Sequence, residues 1–143
     1  MSRLRVGING FGRIGRILFR AGFDRFDIVG INNLGDAKQA AHLLKYDSTH
    51  GRYGHTVEAG ENDIKVRGKK IPLCAEKDPA KIPWKDWGVD LVLECTGAFK
   101  KKEDFLKHID AGAKRVMVAA PADGVDLTIV YGINHESYDP KKH

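Results

Sequence analysis

The glycine-rich stretch VGINGFGRIGR, which runs from Val6 to Arg16, decides how this chain is built. The residues that lead into it, Leu4–Asn9, are mostly apolar and β-branched, which predicts a strand. The residues that follow the glycines, Arg13–Phe23, carry apolar side chains at helical spacing and predict a helix. A strand that turns through glycines into a helix offers free backbone N–H groups to an anion.

The hexapeptide GFGRIG within this stretch fits the G-x-G-x-x-G fingerprint of dinucleotide-binding folds. In that fingerprint Gly10 permits a tight turn, Gly12 lets a pyrophosphate approach the backbone, and Gly15 lets the helix pack against the strand. We expect Arg13 and Ile14 to present the first amides of the helix to the pyrophosphate. A purely structural glycine turn is the alternative, and the strand–helix–strand context favours cofactor binding over it.

Beyond this stretch the sequence alternates between predicted strands and helices, which indicates a parallel sheet with right-handed crossovers. Val57–Leu73 differs, because short alternating pieces separated by turn signals predict a small antiparallel insertion there. Asp78–Trp87 predicts a loop with a helical turn. The other predicted elements are strands at Asp27–Asn32, Val89–Cys95, Arg115–Ala119 and Leu127–Tyr131, and helices at Lys38–Tyr46 and Glu103–Ala111. We therefore predict an α/β domain over residues 1–143, a doubly wound parallel sheet of the Rossmann dinucleotide-binding type.

The composition is that of an ordinary water-soluble domain. A chain of 143 residues that is 42% hydrophobic and 30% charged suits one domain with a buried core. No apolar run reaches the length that crosses a bilayer, and no signal peptide follows Met1, because a predicted strand begins almost at once. The two cysteines, Cys74 and Cys95, do not indicate a disulfide scaffold. We expect a reduced, cytoplasmic setting without membrane attachment.

The net charge of +5 allows a nucleic acid or an anionic metabolite as partner. The basic residues are spread along the chain, and the densest runs are Lys100–Lys102 and Lys141–Lys142. Short runs of this kind are typical of a solvated surface, and they seldom form a nucleic-acid interface alone. The charge pattern therefore favours a small anionic ligand over a nucleic acid.

The residue that follows the second predicted strand bears on the choice between NAD and NADP. Dinucleotide-binding folds carry an acid there, which binds the ribose hydroxyls, but this chain carries Asn33. An amide can bind a hydroxyl and, unlike a carboxylate, does not repel a 2′-phosphate. We therefore expect NAD to bind with NADP tolerated. Two alternatives stay open: Asp36 substitutes for the acid, or Asn33 is only a turn residue.

Six stretches, taken in order, carry a resemblance to one enzyme family over nearly the whole chain. The stretches are INGFGRIGR (Ile8–Arg16), HLLKYDSTHGR (His42–Arg52), DPAKIPW (Asp78–Trp84), ECTGAF (Glu94–Phe99), GAKRVMVAAPADG (Gly112–Gly124) and VYGINH (Val130–His135). With them the chain resembles the amino-terminal NAD-binding domain of the phosphorylating glyceraldehyde-3-phosphate dehydrogenases, a family of glycolytic oxidoreductases. Erythrose-4-phosphate dehydrogenase shares most of these stretches and remains an alternative.

This resemblance implies which residues contact the cofactor. Asn33 stands where the family usually has an aspartate, and Lys77 stands where an arginine or lysine lies near the adenine. Thr96 and Gly97 match positions along the nicotinamide-proximal ribose, whereas Ala119 stands where the family commonly has a serine or threonine. The positions that match the pyrophosphate and adenosine side are Asn9, Gly10, Phe11, Gly12, Arg13 and Ile14.

The resemblance also implies that the catalytic groups lie outside this chain. The family nucleophile is a cysteine in a Ser-Cys-Thr-Thr-Asn segment, which follows the stretch that matches Gly132–His135, and this sequence ends at His143 without it. We expect no catalytic residue in this chain and no turnover by the chain alone. We expect its partner to be the missing catalytic half, and the parent enzyme to be a homotetramer. Surfaces that contact that half are expected to expose apolar side chains. A non-enzymatic module that binds a nucleotide or RNA in the same groove is the alternative.

Four residues are of types that often react or bind metals, but their sequence context does not predict either role. Cys95 precedes a threonine, as the family nucleophile does, but it ends a buried strand, and we expect it and Cys74 to pack as small apolar side chains. His50 and His55 lack cysteine or carboxylate partners at ligand spacing, so we expect no metal site. We further expect Trp84 and Trp87 to cover the sheet edge.

Overall fold

The molecule is organised around a seven-stranded sheet, here described from a computed structural model. The structure describes residues 2–143. Met1 lies outside the described residues, although the predicted domain and the search for a signal peptide both begin with it. The strands are β1 (Arg5–Asn9), β2 (Asp27–Asn32), β3 (Tyr46–Asp47), β4 (Gly51–Arg52), β5 (Val57–Ala59), β6 (Asp63–Val66), β7 (Lys69–Cys74), β8 (Leu91–Glu94) and β9 (Arg115–Val118). The helices are α1 (Arg13–Gly22), α2 (Ala37–Lys45) and α3 (Lys102–Asp110), with 3₁₀ turns at Pro79–Lys81 and His135–Ser137.

The strand order confirms the predicted doubly wound α/β fold. The sheet runs β5-β6-β7-β2-β1-β8-β9, and β1 is parallel to both β2 and β8. The predicted antiparallel insertion is present as β5, β6 and the start of β7, and β7 then joins β2 in parallel through Ile31 and Leu73. The short β3–β4 ribbon was not predicted. Among the described residues, no helix has both the length and the apolar character needed to cross a bilayer.

The two faces of the sheet are buried by different elements. Val6 and Ile8 of β1 point towards the cluster that includes Phe19 of α1 and Leu44 of α2. Gly7 lies between them and faces the opposite side, as strand alternation requires. On that side the core is formed by Trp84 with Ile82, Val89, Val92 and Ala113.

A pair of glycines makes room for the two tryptophans. Gly7 and Gly30 are partners across the β1–β2 pair. A Cβ atom at Gly7 would lie 2.5 Å from the Trp84 ring, and one at Gly30 would lie 2.0 Å from the Trp87 ring. The prediction that these tryptophans cover the sheet edge is therefore wrong. They lie on a face of the central strands, because only glycine leaves enough space there for indole rings.

The predicted strand at Leu127–Tyr131 is also wrong. Its backbone is bound locally, since the Asn134 side chain accepts from the Val130 N–H at 2.7 Å and donates to the Thr128 carbonyl at 2.9 Å. Tyr131 and Ile133 are 88% and 81% exposed, so apolar composition does not reflect burial in this segment. Exposed apolar side chains are thus present, as expected from the resemblance.

Replacing Gly30 by alanine should destabilise the fold, because the new methyl group would overlap the Trp87 ring. Overpacking of this kind typically costs about 1–3 kcal/mol. Gly54→Ala is the matched control, since no described atom lies within 4 Å of the Cβ position there. It should change the free energy of unfolding by less than about 0.5 kcal/mol. Urea unfolding measures both, and equal stabilities would contradict the packing described.

Candidate functional site

A cleft opens at the carboxyl ends of β1, β2 and β8. The strand order changes direction at β1, because β2 lies on one side of β1 and β8 lies on the other. Such a switch point is where doubly wound sheets bind ligands. The cleft has a volume of about 330 Å³. Seven of the eleven predicted cofactor residues line it: Asn9, Gly10, Phe11, Gly12, Asn33, Lys77 and Thr96.

The other four predicted residues do not line the cleft. Arg13 and Ile14 follow directly after Gly12 at the start of α1, and both are exposed. Gly97 lies between two lining residues of the β8–α3 connection. Ala119 lies apart from them, after β9, where its N–H donates to the Glu94 carbonyl at 3.0 Å.

The three fingerprint glycines differ in what surrounds them. Gly10 has a φ of 90°, and a Cβ atom there would lie 2.8 Å from the Thr96 nitrogen. A Cβ atom at Gly15 would lie 2.2 Å from the Gly10 carbonyl oxygen, so α1 packs tightly on the turn. Gly12 is open, since no described atom lies within 4 Å of the Cβ position there. The turn is therefore closed on its inner side and open towards the cleft.

The first turn of α1 faces the same open space. Gly12 is the N-cap, and within the described residues no side chain caps this helix, unlike α2, where Asp36 accepts from the Gln39 N–H. The backbone N–H groups of Arg13 and Ile14 thus remain at the positive end of the helix dipole. The fit to a pyrophosphate is good, because an anion can reach these donors past a residue without a side chain.

The Arg13 side chain is directed towards the β3–β4 ribbon. Its Nη1 atom lies 3.5 Å from both carboxylate oxygens of Asp47. Backbone N–H groups of His50 and Thr49 donate to Asp47 at 2.8 Å and, with Arg13, hold its pKa well below the ordinary value. Asp47 therefore stays charged and holds the guanidinium beside the ribbon. The sequence did not predict this pair, because β3 and β4 carry too few residues to leave a pattern.

Asn32, the residue before the predicted Asn33, positions the part of the cleft wall that carries Lys77. Its Oδ1 atom accepts from the Glu76 N–H at 2.8 Å, and its Nδ2 atom donates to the Glu76 carbonyl at 2.9 Å. These two bonds hold the segment that carries Lys77 into the cleft. Asn33 is partly buried beside it, and its N–H donates to the Cys74 carbonyl at 2.9 Å. Sequence reasoning missed Asn32, although its place at the end of a buried strand was a signal.

A buried carboxylate, Glu94, lies behind the cleft at the end of β8. The side chain accepts four hydrogen bonds: at Oε1 from the Thr96 N–H at 2.9 Å and from the Thr96 hydroxyl, and at Oε2 from Asn9 Nδ2 at 2.6 Å and from His108 Nε2 at 2.8 Å. His108 is neutral, because its Nδ1 atom accepts from the Trp84 Nε1–H at 2.9 Å and its proton is therefore on Nε2.

The protonation states around the cleft follow from burial and these hydrogen bonds. Burial alone would raise the pKa of Glu94, but the hydrogen bonds from His108, Thr96 and Asn9 outweigh it and lower that pKa. Burial raises the pKa of the Cys95 thiol to about 12 and that of Cys74 to about 11. Both thiols are therefore protonated near neutral pH, and neither is poised as a nucleophile.

Comparison with known proteins agrees with this geometry. The family model described as glyceraldehyde 3-phosphate dehydrogenase, NAD binding domain, matches residues 4–102, which include every predicted cofactor residue except Ala119. Glyceraldehyde-3-phosphate dehydrogenase 1 of Bacillus cereus is 52% identical over 141 residues, which are 97% of this chain and 42% of that protein. The Geobacillus stearothermophilus enzyme is 53% identical over 142 residues, with 98% and 42% covered. The Thermotoga maritima enzyme is 50% identical over 141 residues, with 96% and 42% covered.

Acidification should reveal the contribution of Glu94 to stability. Its folded-state pKa lies below the ordinary 4.5, so the unfolded chain binds the proton first as the pH falls. The stabilisation from Glu94 is therefore complete above about pH 4.5 and is lost as the pH falls from there through the lowered folded-state pKa.

Glu94→Gln has no carboxyl group to titrate, so its free energy of unfolding should fall less steeply over this interval. Other acids with lowered pKa values, such as Asp90 and Asp126, remain in both proteins and cancel in the difference. Urea unfolding across a pH series measures the two curves, and parallel curves would contradict this assignment.

Proposed function

We propose that this chain, which belongs to the glyceraldehyde-3-phosphate dehydrogenase NAD-binding domain family, holds NAD in the cleft at the carboxyl ends of β1, β2 and β8. The observation that carries the proposal is the contrast among the fingerprint glycines. Gly10 and Gly15 are closed by neighbouring atoms, whereas Gly12 is open towards the cleft at the uncapped start of α1. That arrangement lets a pyrophosphate approach the backbone N–H groups at the positive end of the helix dipole.

Each end of the cofactor has a proposed set of contacts. The pyrophosphate lies against the backbone of Gly12, Arg13 and Ile14, with Asn9, Gly10 and Phe11 beneath it. Asn33 binds the adenosine ribose and Lys77 lies near the adenine, which is supported by their positions in one wall of the cleft. At the other end Thr96 and Gly97 lie along the nicotinamide-proximal ribose, and Ala119 contacts the cofactor without a hydroxyl group.

The activity of the whole relatives is a further part of this proposal, because the chain spans about 42% of their length. We propose that the parent oxidises glyceraldehyde 3-phosphate with phosphorylation in the cytoplasm, as a homotetramer. Residues 1–143 form its cofactor-binding domain and carry no catalytic residue. The partner is the catalytic half, and the chain alone produces no NADH. The named relatives are all glyceraldehyde-3-phosphate dehydrogenases, which favours this substrate over erythrose 4-phosphate.

The charge of the cleft favours a dinucleotide over RNA. Among the thirteen described residues that line it, one is basic, Lys77, and one is acidic, Glu76. A groove that follows a nucleic-acid backbone is lined by several basic side chains. The net charge of +5 is therefore a property of the surface as a whole, with no concentration in the cleft.

The open side of Gly12 gives a direct test of NAD binding. Gly12→Ala should fold normally, because the φ of −76° suits any residue and its Cβ position is open. The methyl group would occupy the approach of the pyrophosphate and should raise the NAD dissociation constant about tenfold or more, which corresponds to about 1.4 kcal/mol. Calorimetric titration measures the constant, with Gly54→Ala as control. An unchanged affinity in Gly12→Ala would reject the proposed cradle.

The choice between NAD and NADP tests the role of Asn33. We expect the two dissociation constants of the unmodified chain to agree within a few-fold. Asn33→Asp should weaken NADP binding at least about tenfold, since two like charges about 4 Å apart near a protein surface repel by about 4 kcal/mol. Asn62→Asp adds the same charge outside the lining of this cleft and is the control. An NADP affinity that is equal in both variants would exclude Asn33 from the ribose site.

A further inference from the structure

A chain of hydrogen bonds connects the core behind the sheet to the cleft. It begins at the Trp84 indole, passes through His108 and Glu94, and reaches Asn9 and then Asn32. Its last step is the bond from Asn32 Nδ2 to Asn9 Oδ1, at 2.8 Å. The first three residues lie outside the cleft lining and are at most 2% exposed, whereas the two asparagines line the cleft.

In each hydrogen bond of this series, only one of the two residues can be the donor. The Trp84 N–H can only donate, which makes His108 Nδ1 the acceptor and leaves the proton on Nε2. That proton is donated to Glu94, and an ionised carboxylate can only accept. The Asn9 carboxamide must therefore turn its Nδ2 atom towards Glu94.

The orientation of Asn9 also matches that of Asn32. With Nδ2 on Glu94, the Oδ1 atom of Asn9 is left to accept from Asn32 Nδ2. Asn32 is oriented by the Glu76 backbone, whose N–H donates to its Oδ1 atom and whose carbonyl accepts from its Nδ2 atom. The Asn9 carboxamide is therefore held in one orientation from both ends, by Glu94 at Nδ2 and by Asn32 at Oδ1.

Packing alone does not explain why a charged residue, Glu94, occupies this buried position. An apolar side chain of similar volume often stabilises a core as well as a buried ionic group does. Removal of a single hydrogen-bond donor, in contrast, leaves the buried charge without full compensation and destabilises the fold. Glu94 accepts four hydrogen bonds, which satisfies both oxygens. What an apolar residue could not supply is an acceptor for Asn9 Nδ2, so the Asn9 carboxamide would be held only through its Oδ1 atom by Asn32.

We propose that Glu94, held by His108 and Trp84, is a positioning residue for the cofactor and acts through the Asn9 carboxamide. This inference rests on the proposed NAD site. Glu94 contacts no cofactor atom itself. It keeps the Asn9 side chain in the one orientation that is ready for the ligand, so that none of the binding free energy is spent on reorienting it.

The principal experiment is a double-mutant cycle on NAD affinity, measured by calorimetric titration near neutral pH. The variants are Glu94→Gln, Asn9→Ala and the two combined. Glu94→Gln alone should raise the NAD dissociation constant about tenfold, because its amide group cannot accept from all four donors. In the Asn9→Ala background the same change should raise it less than about twofold. Additive effects would overturn the proposal, because Glu94 would then act by another route.

A second pair of variants covers the case in which Glu94→Gln does not fold. His108→Gln can accept from Trp84 and donate to Glu94, whereas His108→Leu can do neither. The glutamine variant should bind NAD within about twofold of the unmodified chain, and the leucine variant about tenfold more weakly. Equal affinities in the two variants would overturn the inference.

The same titrations separate failure of this inference from failure of the proposed function. If the unmodified chain binds NAD and the cycle is additive, only the role of Glu94 is rejected. If the unmodified chain does not bind NAD, the proposed site is rejected, and the role of Glu94 falls with it. Urea unfolding of each variant confirms that the affinities refer to folded protein.

Discussion

The constraint on which this structure depends is an ionised carboxylate that is shut off from water. Glu94 is 2% exposed, and a charge in such a place is tolerated only when its oxygens are fully hydrogen-bonded. The four donors come from the end of β1, from Thr96 two residues beyond the end of β8, and from α3. The strand register and the position of α3 must therefore be correct together. The geometry of the cleft follows, since two of the donor residues also line it.

Glycines determine where the backbone can lie in close contact with side chains and with other backbone segments. Within the central strands they allow indole rings onto the sheet, through Gly7 and Gly30. At the carboxyl side Gly10 and Gly15 let the turn, β8 and α1 meet, while Gly12 keeps one approach clear. Of these five glycines, four are in close contact with neighbouring atoms, and Gly12 is open. Packing explains the lack of a side chain at the other four positions but not at Gly12.

Much of the fold could be predicted from local patterns. The fingerprint, the alternation of strands and helices, and the antiparallel insertion were all visible in the sequence, because each depends on neighbouring residues. The errors arose where distant residues decide. Leu127–Tyr131 has the composition of a strand, but Asn134 binds its backbone. The contact of Glu94 with Asn9 joins positions 85 residues apart, so no local pattern indicates it. Asn32 likewise owes its role to Glu76, 44 residues further along the chain.

The placement of Trp84 and Trp87 has a consequence for optical work on this protein. They are the two tryptophans of the chain, and their rings lie 5.7 Å apart on the face of the sheet away from α1 and α2. Indole emission moves to longer wavelength when water reaches the ring, so a red shift reports the opening of that one face. Loosening of α1 or α2 leaves the indole environment intact. Helix α1 is therefore nearly silent in tryptophan fluorescence, and the tyrosines Tyr46 and Tyr53 are the natural chromophores for its side of the molecule.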